Sequence, residues 1–182
     1  MIPGSLKRAF TYLESGPVVL VTSNDHDKDN VMTISWQMVM DFEPHIAIST
    51  GPWNTSFHTI IKTKECVINV PGADRIEDVI RAGTINGNKT DKFQLLHFEK
   101  QAGMCVKAPL IPDSIASIEC VLEDYIEEHG LLILKGVCLW ENPEKTERRV
   151  IHANGDGTFF ADGEYFNLRD TMRKWVPKGC ER

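Results

Sequence analysis

No stretch of this 182-residue chain approaches the ~20 consecutive apolar residues that a bilayer-crossing helix needs, so no membrane span is expected. The N-terminus, Met1-Ile2-Pro3-Gly4-Ser5-Leu6-Lys7-Arg8, lacks the basic-then-apolar order of a signal peptide, and a cytoplasmic location is expected. A basic excess is missing too. Net charge is −6, and the densest basic group, Arg148-Arg149, sits beside Glu144 and Glu147. Nucleic acid needs a broad positive surface, so it is not an expected partner. Cysteine is without a pairing motif. Cys66, Cys105, Cys120, Cys138 and Cys180 are odd in number, and no two have the spacing of a zinc knuckle or a redox CxxC. Cys66, Cys120 and Cys138 fall in strand-like apolar runs and read as buried free thiols, which suits a reducing compartment. No metal site is expected.

Several chemistry-bearing motifs are absent or broken. There is no GxGxxG, which excludes a Rossmann dinucleotide site. Gly83-Thr84-Ile85-Asn86-Gly87-Asn88-Lys89-Thr90 imitates a phosphate-binding P-loop. It has one residue too few between its glycines and an asparagine before the lysine, and it follows a helical rather than a strand pattern. Asp25, Asp27 and Asp29 have the spacing that opens an EF-hand loop. Asn30 and Trp36 stand where the glycine and the bidentate glutamate belong, so a solvated hairpin loop is the better reading. Asn54-Thr55-Ser56 and Asn88-Lys89-Thr90 match the glycosylation sequon, a chemistry closed to a protein that is not secreted. No Ser-His-Asp or paired-carboxylate set stands out, so no side chain is assigned a catalytic role, and His58 and His152 read as structural.

What is present is one domain, residues 1–182, with an ordinary globular balance of 42% hydrophobic and 25% charged residues. Val18 to Thr22 is a β-branched run bounded by Gly16-Pro17 and Ser23-Asn24-Asp25. From Met32 to Met40 the chain alternates, with Met32, Ile34, Trp36, Met38 and Met40 on one face and Thr33, Ser35 and Gln37 on the other. His45 to Thr50 and Cys66 to Val70 are further strands, and Ile115–Asp124 with Leu131–Trp140 make a long pair around Glu127-Glu128-His129-Gly130. Helical spacing follows Asn54-Thr55-Ser56. A capping box at Asp74 and Glu77 opens a second helix, Asp91 to Leu96 a third, and Asp156-Gly157 and Asp162-Gly163 mark tight turns. The fold class is therefore mostly β with a few helices, its strands antiparallel and curled toward a barrel.

Two polar clusters stand out. Thr33-Ile34-Ser35-Trp36 places hydroxyls beside an apolar face, a setting that suits the edge of a planar heterocycle. On pattern alone the better reading is a half-buried strand with its polar face in water. Ser49-Thr50-Gly51-Pro52-Trp53-Asn54-Thr55-Ser56 runs from a strand end into a helix start. Unpaired backbone N–H groups and the positive helix end there make an anion site, or simply a capped helix. Lys92 opens the third helix as a possible countercharge, or as a solvated surface residue.

In order, Asn30-Val31-Met32-Thr33-Ile34-Ser35-Trp36, Gly51-Pro52-Trp53-Asn54 and Glu65-Cys66-Val67-Ile68-Asn69-Val70-Pro71 resemble the flavin reductase-like, FMN-binding split-barrel family. Asp91-Lys92-Phe93, Ala108-Pro109-Leu110-Ile111, Ile118-Glu119-Cys120 and His152 to Phe159 continue the resemblance, which is nearest to the flavoredoxin-like branch. The resemblance implies a split β-barrel that forms a homodimer and binds FMN. It implies the flavin edge against Thr33, Ile34, Ser35 and Trp36, and the phosphate near Ser49, Thr50, Asn54 and Thr55 with Lys92 answering its charge. Many members carry an arginine where this chain has Trp53-Asn54, which shifts more of that charge onto Lys92. Electrons would come from NAD(P)H or a redox partner and pass to a small-molecule or protein acceptor. The implied function is a flavin oxidoreductase, or a flavoredoxin-type carrier without NAD(P)H turnover.

Overall fold

The computed structural model describes residues 1–26, 28–172 and 174–179. Its strands are β1 (Ile2–Gly4), β2 (Val19–Asn24), β3 (Asp29–Ile34), β4 (Gln37–Val39), β5 (His45–Ser49), β6 (Glu65–Val70), β7 (Ala116–Ile126), β8 (Leu131–Glu141), β9 (Ile151–Ala153) and β10 (Phe159–Ala161). Helices α1 (Thr55–Thr63), α2 (Ile76–Thr84), α3 (Lys92–Leu95) and α4 (Arg169–Met172) punctuate them. Every strand pairing is antiparallel. One eight-stranded sheet runs β3-β2-β6-β7-β8-β5-β4, with β1 also on β8, and β9 and β10 form a separate hairpin. This is the antiparallel split barrel that the strand pattern foreshadows. No helix among the described residues is long and apolar enough to cross a membrane.

The sheet curls because β8 shares one edge between two partners. Leu131–Lys135 pair with β5, and Leu139–Glu141 pair with β1. The strand bends between them, where the β7–β8 register slips past Val137. Gly136 marks the bend, since a Cβ there would sit 3.1 Å from Ile118 and 3.2 Å from Pro44. Val19 and Val21 point into the main core with Ile34, Ile46, Ile68, Ile118, Leu132 and Leu134. Val18 and Leu20 point the other way, into a second core under α2 and α3 with Val79, Phe93 and Leu96. A strand covered on both faces needs a continuous apolar run, and residues 18–21 supply it.

Four expectations change. The alternating segment Met32–Met40 is not one strand. The chain leaves β2 after Ile34, crosses at Ser35-Trp36, and pairs with β5 at the far end of the sheet. Met32 and Ile34 are buried, whereas Trp36, Met38 and Met40 are 74%, 58% and 46% exposed. Period-2 alternation does not say which neighbour a strand takes. The Asp74–Glu77 capping box does not form: a short 3-10 turn, Ala73–Arg75, precedes α2, and Asp74 instead pairs with Lys145 at 2.7 Å. Asp162-Gly163 is not a hairpin turn; the Asp162 carboxylate accepts from Val150 N and lies 2.9 Å from His152 Nε2. Of the three thiols read as buried, Cys66 and Cys120 are buried and face each other across β6 and β7, but Cys138 is only half-buried. Cys180 and Asp27 lie outside the described residues.

The centre of the sheet is joined to the loop before β7 by Asn69. It is fully buried, and its Oδ1 accepts from Ile111 N at 2.9 Å and from Ser117 Oγ at 2.7 Å. Replacing Asn69 by Leu strands both donors, each costing ~1–3 kcal/mol. Urea denaturation of Asn69→Leu should therefore show a loss of about 2–6 kcal/mol. An unchanged midpoint and slope would show that the Asn69 bonds contribute nothing net.

Candidate functional site

A polar cavity of about 210 Å³ opens where α1 begins. One wall is β3, through Asn30, Met32 and Thr33. A second is the first turn of α1, through Asn54, Thr55 and Ser56, with Trp53 at its rim. The third is the segment Gly83–Gly87, where α2 ends, and Lys92 completes the lining. α1 starts with Asn54 in extended backbone and no side-chain cap. The Asn54 amide turns away, its Nδ2 donating to Thr50 Oγ1 at 3.0 Å. The first N–H groups of this nine-residue helix are thus left without a side-chain acceptor, and they carry the positive end of its dipole. Asn30, itself buried, donates to Ser56 Oγ at 2.9 Å and ties β3 to that turn. The walls close tightly because they are glycine where they touch: a Cβ on Gly87 would lie 2.2 Å from the Asn30 amide oxygen.

Lys92 is the charged member of this lining, and it is only 5% exposed. Its Nζ donates to Val31 O at 2.7 Å and to Ala82 O at 2.6 Å. Ala82 lies in the last turn of α2, the negative end of that helix, where a cation is favoured. An ammonium has three N–H donors, so one remains beyond these two. Burial lowers its pKa from the ordinary 10.5 to about 8. At neutral pH the group is charged and available to an anion.

A second hollow, about 360 Å³ and almost wholly apolar, lies on β4, β5 and β8. Trp36, Met38, Ala47, Leu131 and Ile133 line it, together with Gln37, Met40, Ser49 and Ile126. Ser49 N donates to Trp36 O at 2.9 Å and stitches the strand crossing to β5.

The nine residues singled out from sequence are therefore distributed unevenly. Thr33, Asn54, Thr55 and Lys92 meet at the polar cavity, and Trp36 and Ser49 line the apolar hollow. Ser35 is exposed at the crossing between them. Ile34 is in the core, and Thr50 is buried, serving as acceptor for Asn54. The Thr33 hydroxyl donates to Val79 O on α2 rather than standing free. Sequence reasoning included Ser56 only as the end of the strand-to-helix cluster, and gave Asn30 and the Gly83–Gly87 segment no site role. That segment was dismissed as a P-loop, yet it lines the cavity; its signal was the pair of glycines, which allow close approach. His58, held by Pro52 O, and His152, held by Asp162, line neither hollow.

The buried ammonium makes a direct prediction. Lys92 should titrate near pH 8 in ligand-free protein, followed by NMR of the side-chain nitrogen, and a value near 10 would contradict its burial. Because the folded value lies below that of the free side chain, the unfolded chain holds this proton better between about pH 8 and 10.5. This group alone therefore makes folding more favourable as pH rises through that window.

Comparison with known proteins agrees with the architecture. The flavin reductase like domain matches residues 12–168. An uncharacterized protein of Pyrococcus abyssi is 34% identical over 119 residues, 64% of this chain and 68% of its own length. Among solved structures, an FMN-binding domain of a flavin reductases-like enzyme from Shewanella baltica superposes with a TM-score of 0.83 at 22% identity, covering 91% of this chain and 95% of that one. Flavoredoxin of Desulfovibrio vulgaris gives 0.77 at 22% identity, covering 84% and 89%. At these identities the structures speak for the fold, while the domain match spans most of the chain: it belongs to the flavin reductase-like domain family.

Proposed function

We propose that the chain binds FMN and passes electrons through it, from NAD(P)H or a reduced redox partner to a small-molecule or protein acceptor. The observation that carries this is the polar cavity at the start of α1 with the buried Lys92 ammonium on its wall. Its donors fit a phosphate monoester: a cation with one N–H to spare, uncapped helix N–H groups and the hydroxyls of Thr55 and Ser56. The Shewanella structure is described as FMN-binding, which supports FMN as the phosphate-bearing ligand.

FMN, when bound, supplies hydride and single-electron chemistry. The protein's part is to hold and orient. Lys92 answers the phosphate charge, and the first turn of α1 fixes its position. The Ser35-Trp36 crossing and the apolar hollow beside it offer an apolar wall with unladdered backbone for the ring edge. The exposed apolar side chains on and flanking β4, Trp36, Met38 and Met40, form a patch of the kind that marks an association surface, and the same reading takes the chain as a homodimer. Light scattering of the FMN-loaded protein at micromolar concentration should give twice the 20.6 kDa chain mass, and a monomer would count against that assembly.

Similarity to flavoredoxin keeps a second reading open, a carrier with tightly held FMN and no NAD(P)H turnover. NAD(P)H oxidation measured with and without added free flavin separates the two. The cofactor site itself is tested by paired fluorescence titrations with FMN and riboflavin. Lys92→Met should weaken FMN about tenfold to hundredfold, the worth of one charge-assisted hydrogen bond. Riboflavin, which has no phosphate, should be almost unaffected. In the wild type, FMN affinity should be level between pH 7 and 8 and fall above it, by up to about tenfold per pH unit as Lys92 loses its proton. Equal losses for both ligands would show that Lys92 supports the fold and not the phosphate.

A further inference from the structure

Glu119 is a fully buried carboxylate that the proposed electron transfer does not use. Its Oε1 accepts from Met104 N at 3.0 Å and Trp140 Nε1 at 2.6 Å, and its Oε2 accepts from Cys105 N and Val106 N, both at 2.7 Å. The loop before β7 thus wraps the carboxylate closely, and Gly103 lets it do so, because a Cβ there would lie 2.5 Å from Oε2. Four donors satisfy the charge with dipoles, but no ion pair reaches it among the described residues. Two thiols stand beside it. Cys138 faces Glu119 across the β7–β8 register, and Cys105 sits on the wrapping loop. Both sulfur atoms and a carboxylate oxygen lie within 4.8 Å of one another, with Cys105 exposed and Cys138 half-buried, so the cluster is open to solvent.

We propose that Cys105 and Cys138 are thiolate ligands for one thiophilic d10 cation of the zinc class, with Glu119 as its fixed countercharge and solvent completing the coordination. Two bonds of ~2.3 Å to one ion span at most ~4.6 Å, so small side-chain rotations close the site. The carboxylate's lone-pair directions are already taken by N–H donors. It therefore acts by charge, and enters the coordination sphere only by releasing one of them. Binding replaces the two thiol protons, which leave to solvent, and no electron moves. The setting argues against the other use of a thiol pair, oxidation to a disulfide. Reactive thiols sit in electropositive surroundings that favour the thiolate, whereas a buried carboxylate beside two sulfurs favours a cation. A bound ion would fasten the loop of residues 103–106 to β8 and stabilise the fold by mass action.

The test uses the reduced, metal-free full chain, titrated with Zn²⁺ against a chromophoric chelator and with Cd²⁺ as an ultraviolet thiolate charge-transfer reporter. Expected are one ion per chain, about two protons released per ion at neutral pH, and a higher Tm with zinc. Cys105→Ser and Cys138→Ser, checked for native circular dichroism, should each weaken binding by about tenfold or more. Three results would overturn the proposal: no saturable binding, equal affinity in the Cys105→Ser/Cys138→Ser double variant, or a Cys105–Cys138 disulfide formed with hydrogen peroxide in a protein that takes up no ion.

Discussion

The ammonium of Lys92, buried between the carbonyls of Val31 and Ala82, is the contact on which the cavity depends. Those carbonyls belong to β3 and to the last turn of α2, and Lys92 itself opens α3. One side chain therefore holds three elements at the distance that leaves room between them. Burying an ammonium is unfavourable unless it is hydrogen-bonded, and two carbonyls offset only part of the desolvation. The lowered pKa is the trace of the remainder. An anion in the cavity would offset the rest, and the phosphate role proposed for Lys92 rests on that remainder.

Among the described residues, the buried lysines and carboxylates are Lys145, Glu119 and Lys92, and each is handled differently. Lys145 lies between Asp74 and Asp113, an ion-paired arrangement whose bonds hold its pKa above the ordinary value even as burial pulls it down. Glu119 is surrounded by N–H donors, which hold its carboxyl below the usual range against burial's upward push. Lys92 has carbonyl dipoles and, among the described residues, no carboxylate partner. The first is self-contained. The other two meet dipoles and, among the described residues, no opposite charge, which is what the proposed anion at Lys92 and the proposed cation near Glu119 would supply.

The geometry of the sheet explains why site and core can coexist. Because β3 and β4 sit at opposite ends of the strand order, the two-residue crossing at Ser35-Trp36 spans the gap where the barrel splits. Residues at such a gap leave the strand ladder, and Trp36 O is held instead by Ser49 N. The polar cavity lies on the β3 side of the crossing and the apolar hollow on the β4 side. A fully closed barrel would have left neither.

Much of this architecture was legible in the chain. The β-branched runs at β2, β5, β6, β7 and β8 are long, apolar and bounded by Pro, Gly or polar turns, and local patterning is enough to make them strands. The strand-to-helix cluster at Ser49–Ser56 was legible through hydroxyls and helix polarity, which are local properties as well, and its Asn54, Thr55 and Ser56 line the polar cavity. Tertiary structure alone decided where Met32–Met40 breaks, because pairing partners are chosen by distant strands. It buried Lys92, because whether a lysine meets water depends on what packs over it. It brought Gly83–Gly87 to the cavity and Cys105 to Glu119 and Cys138, since residues from separate segments become neighbours only when the sheet curls. Sequence specified the elements through periodicity and turn chemistry; long-range packing decided which of their side chains share a site.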